Sequence, residues 1–183
     1  MARELRTQIA FLRAVNVGGR KLEMAALRAM LEALGFADVR TILQTGTALF
    51  RGGTKTGAAL EEYLETELER HLHLRTDCFV RAATEWNGII AGNPFPREAQ
   101  EDPSHLVLMV LKSAPVSSIV AELQSAVEGR ETVRATGRAV YIYYPDGIGE
   151  SKLTTALLER KLKTRGTGRN WNTAIKIQAA AAG

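Results

Sequence analysis

Three stretches carry residue types and spacings that could do chemistry. The first, Tyr144-Pro145-Asp146-Gly147-Ile148-Gly149-Glu150-Ser151-Lys152-Leu153-Thr154, joins a strand-like run, Ala139 to Tyr144, to a helix-like run, Lys152 to Leu162. A glycine-bearing turn that feeds a helix N-terminus leaves backbone N–H groups without intrahelical partners, and their partial positive charge favours an anion. Gly147 and Gly149 would let the backbone wrap the anion, with Ser151 as donor and Lys152 as charge. The spacing is not that of a P-loop, because Glu150 and Ser151 separate the second glycine from the lysine. The competing reading is a plain connection in which Pro-Asp-Gly turns the chain and Ser151 caps the helix.

The second stretch is Arg169-Asn170-Trp171-Asn172, which offers charge, a ring face and two amides. Single-stranded nucleic acid or a nucleotide base uses that set. Equally, Asn170 or Asn172 could cap a helix whose Trp171 packs inward. Arg13 and Asn16, followed by Gly18 and Gly19, form the third. An arginine in a buried strand needs a phosphate or a carboxylate beside it.

The search for a catalytic set is negative. There is no H-E-x-x-H, paired C-x-x-C or G-x-S-x-G pattern. His71 and His73 stand two apart, so they do not share a helical face as zinc ligands would. His105 opens an apolar run and reads as structural, and Cys78 lies within one and reads as a small buried hydrophobe. Glu61, Glu62, Glu65, Glu67 and Glu69 read as the solvated face of a helix. No cofactor, metal site or enzymatic activity is expected.

Composition bounds the rest. The 183 residues are 45% hydrophobic and 24% charged, which excludes wholesale disorder. No apolar run reaches membrane-spanning length, and one cysteine permits no internal disulfide, so a cytoplasmic setting is expected. The net charge of +4 is local: from Arg160 onward there are six basic residues and no acidic one (Arg160, Lys161, Lys163, Arg165, Arg169, Lys176), which leaves residues 1–159 at −2. Such asymmetry points to a polyanionic or phosphate-bearing partner, or else to a solvated tail.

The elements that must position these residues follow from periodicity. Thr7 to Val15 reads as a buried strand, and Met24, Leu27, Met30, Leu31 and Leu34 as one face of a helix closed by Gly35. Val39 to Leu43 and Ala48 to Arg51 make a hairpin about Gln44-Thr45-Gly46-Thr47. A helix over 57–72 and a strand over 76–81 complete a β-α-β-β-α-β order. Thr84 would cap a short helix, and residues 92–104, with three prolines, read as a linker. His105 to Leu111 is the most apolar strand, followed by a helix capped at Ser113, a hairpin about Thr136-Gly137, and a helix from Ser151 or a neighbour. Residues 163–170 read as a basic loop and 171–182 as a helix. The expected fold is α+β: a tandem pair of ferredoxin-like βαββαβ-type subdomains, 1–91 and 105–183, the second lacking its last strand and ending in a helix.

Leu12-Arg13-Ala14-Val15-Asn16-Val17-Gly18-Gly19, Tyr144 to Thr154, and Arg169-Asn170-Trp171-Asn172-Thr173 together resemble a bacterial family known as domain-of-unknown-function family 1697. Asp38-Val39-Arg40-Thr41, with Gln44-Thr45-Gly46-Thr47 and Phe50, matches a fourth family stretch less closely. The resemblance implies a tandem α+β fold of two related subdomains and no assigned activity. Ala14 stands where that family usually has glycine, and Thr45 and Thr47 where it tends to have serine and asparagine.

The functional expectation is a non-enzymatic binding protein for a phosphate-bearing partner, with nucleic acid first. It rests on Arg13, Asn16, Gly18, Gly19, Gly147, Gly149, Ser151, Lys152, Arg165, Arg169, Asn170, Trp171 and Asn172. The alternatives are an enzyme or sensor for a small phosphorylated metabolite or nucleotide, held between the subdomains, and a homo-oligomerisation module.

Overall fold

The computed structural model describes residues 6–16, 19 and 21–183. Among them are eight strands in two four-stranded antiparallel sheets, and seven α-helices. The chain divides into two units, one ending at Asn87 and taking in Ile177–Gly183, the other spanning Gly88–Lys176.

The first unit runs β1 (Thr7–Leu12), α1 (Met24–Ala33), β2 (Ala37–Ile42), β3 (Thr47–Arg51), α2 (Gly57–Leu72) and β4 (Cys78–Ala82), with strand order β2-β3-β1-β4. Ile9 lies opposite both Leu49 and Arg81. Alternation then puts Ala10, Leu12, Ala48, Phe50, Cys78 and Val80 on one face. They form a core with Leu27, Met30 and Leu31 of α1 and Leu60, Leu64 and Leu68 of α2. Ile9, Phe11, Leu49 and Phe79, on the other face, are fully buried too. Burial on both faces is why β1 reads as a continuous apolar run. Trp86, on α3 (Ala83–Ala91), is 0% exposed, its ring 5.0 Å from that of Phe11. Helix α3 follows β4 directly, so Thr84 is a helical residue and not a cap.

Two backbone positions in this unit are demanding. Gly46 has φ +69°, and a Cβ there would overlap Val15 Cγ2. Ala14 sits at φ +50°, in the left-handed region that glycine adopts without penalty. The family's usual glycine is therefore the relaxed residue here. Ala14→Gly is expected to raise the unfolding free energy by about 0.5–1 kcal/mol, the relief of strain exceeding the entropy lost. Urea denaturation checks it.

The acidic face of α2 departs from expectation. Glu61 and Glu67 are buried rather than solvated. Glu65 Oε1 accepts from the Cys78 N–H and Glu61 Oε1 from the Val80 N–H, both at 2.8 Å. Strand β4 lies at the edge of the sheet, and these carboxylates satisfy its outward amides. Glu61 also faces Arg81, 0% exposed, at 3.5 Å.

The second unit carries α4 (Pro96–Glu101), β5 (Leu106–Leu111), α5 (Ser117–Ser125), β6 (Thr132–Thr136), β7 (Ala139–Tyr143), α6 (Thr155–Leu162), β8 (Gly166–Asn170) and the start of α7 (Trp171–Ala182), whose residues from Ile177 onward are counted with the first unit, with strand order β6-β7-β5-β8. The segment read as a linker thus holds a short helix, with Pro96 in its first turn. The last strand, expected to be missing, is present: β8 pairs antiparallel with β5, Arg169 opposite Leu108 and Gly166 opposite Leu111. A Cβ on Gly166 would meet Met109 Cε at 2.5 Å, Leu111 Cδ2 at 2.7 Å and Val110 O at 2.9 Å. The glycines that disguised this strand as a loop make room for its neighbour. Helix α5 starts at Ser117, and Ser113 instead bonds Thr164 Oγ1 at 3.0 Å. Helix α6 starts at Thr155, later than Ser151, with Thr154 Oγ1 accepting from the Leu157 N–H at 3.2 Å.

Candidate functional site

The turn from β7 to α6 lines a cavity of about 470 Å³ floored by Leu123, Val127, Leu153 and Leu157. Gly147 has φ +85° and gives its N–H to Tyr144 O at 2.9 Å, so it closes the turn. Gly149 lies in a single 3₁₀ turn, Ile148–Glu150. Ser151 Oγ donates to Glu131 Oε1 and accepts from the Leu153 N–H at 3.0 Å. Lys152 Nζ lies 3.0 Å from Glu128 Oε2. Arg130 Nε lies 3.1 Å from Asp146 Oδ2, and its Nη2 bonds Oδ1. That hydrogen-bonded guanidinium holds the Asp146 carboxyl below the usual carboxylate range. The serine and the lysine that would receive an anion are engaged by carboxylates. The walls carry Glu128, Glu131, Asp146 and Glu150 against Lys152 and Lys161, so the local field opposes a free anion.

The second candidate stretch straddles the end of β8 and the start of α7. Asn170 Oδ1 accepts from the Thr173 N–H at 3.0 Å, which makes it the helix cap. Trp171 is 7% exposed, so its ring offers no open stacking face. Arg169 Nη1 donates to Thr167 Oγ1 at 3.0 Å and Gly168 O at 2.8 Å. Burial lowers the Arg169 pKa to about 10, which leaves it charged at neutral pH. Asn172 and Arg165 are exposed. Ser151 lines this cavity and Trp171 does not.

In the first unit, Asn16 organises its own loop. Its Nδ2 donates to Gln44 O at 3.0 Å and its Oδ1 accepts from the Leu22 N–H at 2.8 Å. Arg13 is half-buried; its carbonyl accepts from Thr76 Oγ1 at 2.6 Å and its N–H reaches Asp77 O at 3.0 Å. Thr45 Oγ1 bonds Ile42 O at 2.9 Å and Thr47 Oγ1 at 3.1 Å, so both departures from the family pattern do structural work in the hairpin. Gly19 is exposed at φ +85°, and Gly18 lies outside the described residues.

One cluster escaped the sequence reading. His105 Nδ1 lies 2.9 Å from Asp102 Oδ2, and the Tyr143 hydroxyl donates to the same oxygen at 3.0 Å. Desolvation pushes the Asp102 carboxyl up, but hydrogen bonds from His105, Tyr143 and Ser104 outweigh it and hold the group below its usual range. Desolvation, and then the bond to Asp102, raise the Tyr143 phenol. The signal was Asp-x-x-His just before the strongest strand, with tyrosines ending another. A carboxylate that orients an imidazole fixes its tautomer. Among the described residues no group of three or more His, Cys, Asp or Glu is placed to hold a metal ion. No helix there is long and apolar enough to cross a membrane.

Comparison with known proteins adds fold and family. A solved structure titled as that of the conserved bacterial protein SP0830 from Streptococcus pneumoniae superposes with a TM-score of 0.77 at 19% identity, over 98% of this chain and 99% of that one. At that identity the likeness concerns the fold alone. No curated protein matches. A family profile described as a protein of unknown function, DUF1697, matches residues 5–141, stopping short of the Tyr144–Thr154 and Arg169–Thr173 stretches. That match covers most of the sequence, and the chain belongs to the DUF1697 family.

Proposed function

We propose that the protein is a non-enzymatic binding module for a phosphate-bearing partner, single-stranded nucleic acid, gripped through its backbone. The supporting observation is the run from the end of α6 into β8. Arg160, Lys161, Lys163 and Arg165 are all exposed, and no acidic residue follows Glu159. Among the described residues, Arg160, Lys161 and Lys163 have no carboxylate partner, unlike Lys152. With Trp171 buried, phosphates rather than bases are read, so binding is indifferent to sequence. The lone, buried Cys78 suits a cytoplasmic partner.

Neutralising about four phosphates of a single strand gives a log–log salt slope of roughly −3, hence a roughly 50-fold weaker Kd between 50 and 200 mM salt. Fluorescence anisotropy with labelled oligouridylate and oligothymidylate measures it. Arg160→Ala with Lys163→Ala and Arg165→Ala should flatten the slope by about 2. No binding at 50 mM salt, or an unaltered slope in the triple variant, would overturn the proposal.

We also read the two units as a tandem pair of ferredoxin-like subdomains. Strand orders β2-β3-β1-β4 and β6-β7-β5-β8 support the reading, as do paired details. Glu65 accepts from the Cys78 N–H as Glu159 does from the Gly166 N–H. Arg13 N–H reaches Asp77 O as Lys112 N–H reaches Arg165 O. Arg81 and Arg169 each bond the preceding carbonyl.

A further inference from the structure

We propose that the outer edge of β6, with the groove between it and α5, receives an extended peptide of a partner protein in which apolar and acidic residues alternate, added as a fifth strand. Sheet edges invite pairing, and most edges in this chain are blunted. On β4 the outward amides of Cys78 and Val80 are taken by Glu65 and Glu61. On β8 the Gly166 N–H is taken by Glu159. Strand β2 has a register shift between Ala37 and Arg40, with Asp38 at φ +52°.

Strand β6 is covered over only half its length. Gln124 Oε1 accepts from the Val133 N–H at 2.6 Å, and Gln124 Nε2 donates to Glu131 O at 3.2 Å. Val133 therefore turns its backbone outward, and the two-residue period turns Ala135 outward as well. Among the described residues nothing pairs with the Ala135 N–H or carbonyl. Beside that free step lies a groove of about 560 Å³ lined by Ala114, Pro115, Val120, Ala121 and Ala135. Val116, between the lining residues Pro115 and Ser117 in sequence, is 61% exposed, the most exposed large apolar side chain among the described residues. A groove of small apolar side chains along an open edge is the arrangement that strand addition uses. Main-chain bonds supply attachment, and alternate side chains enter the groove.

Charge selects the occupant. The one charged residue lining the groove is Arg134, exposed, with its Nη1 on Val133 O at 2.8 Å and no carboxylate partner among the described residues. Arg134 starts from the opposite face by alternation, but its guanidinium bends round the edge, Nη1 on Val133 O and 3.4 Å from Gln124 Oε1, so it stands beside the intervening residues of an incoming strand whose valines lie over the groove. Glutamate there gains a partner and lysine is repelled.

The probes are labelled Thr-Val-Glu-Val-Glu-Val-Thr and its Lys counterpart, titrated against the full chain by fluorescence anisotropy. The Glu peptide should bind roughly 10-fold tighter than the Lys peptide, a difference of one interfacial charge pair. Arg134→Glu should reverse that order, which a merely sticky groove would not do. Ala135→Pro removes the free N–H at an edge position where proline is tolerated, and should abolish binding of both peptides. Circular dichroism and thermal melting confirm that it folds, and the charge reversal stands without it. No binding of the Glu peptide at millimolar concentration, or an unchanged preference in Arg134→Glu, would overturn the assignment. So would a concentration-dependent dimer that the peptide dissociates, which would give this edge to a second copy of the chain.

Discussion

Glu61→Ala is expected to lower the unfolding free energy by about 3–5 kcal/mol, the largest loss of any single exposed-looking acidic residue in the chain. The carboxylate does two things at once. It accepts from the Val80 N–H at 2.8 Å, and it faces the Arg81 guanidinium at 3.5 Å, where both side chains are shut off from water. Its removal leaves a buried amide unsatisfied and a buried cation short of countercharge, and each is costly alone. Glu85, 3.4 Å from Arg81 Nε but 40% exposed, compensates only in part. Glu61→Gln keeps an acceptor for Val80 and should lose less, so the gap between the variants measures the charge term. Urea midpoints of both variants provide the test. A loss below about 1 kcal/mol for Glu61→Ala would show that water or Glu85 takes over.

That residue also marks where the sequence stops being legible. Acidic residues on a helix predict a wet face, because the pattern records the helix alone. Which face meets an edge strand is a tertiary fact, and Glu61 and Glu65 are kept by the amides of β4. The strands with branched or aromatic side chains were readable for the opposite reason: their pattern is set by their own alternation, as in β1, β3, β5 and β7. Strand β8 was hidden because Gly166 and Gly168 carry no side chain to alternate.

The candidate site divides along the same line. Ser151 and Lys152 look like anion donors in any local window, yet Glu131 and Glu128, twenty and twenty-four residues earlier, reach them first. Arg169-Asn170-Trp171-Asn172 allowed two readings that differ only in burial, and burial is what one stretch of sequence does not contain. The excess of cations after Arg160 needs no tertiary knowledge, since no partner acid lies within the segment.

Gly166→Ala is expected to cost about 3 kcal/mol, at the upper end for one added methyl group. The added carbon has nowhere to go. Met109 Cε and Leu111 Cδ2 are side-chain ends and can swing aside, but Val110 O at 2.9 Å belongs to the backbone of β5. Relief therefore requires β8 to move off β5, at the expense of the pairing that runs from Gly166 to Asn170. Gly168→Ala is the control in the same strand. Its Cβ would meet only Val107 Cγ1, a side-chain end, at 2.9 Å, so a loss near 1 kcal/mol is expected. Hydrogen exchange of the β5 amides, followed with urea unfolding, separates strand loosening from general destabilisation. If Gly166→Ala loosens β8, the cations of α6, Arg160 and Lys161, keep their helical scaffold while Arg165 loses the Lys112 N–H that holds its carbonyl. Polyanion affinity should then fall by no more than the share of one contact. A larger fall would place β8 itself at the centre of binding.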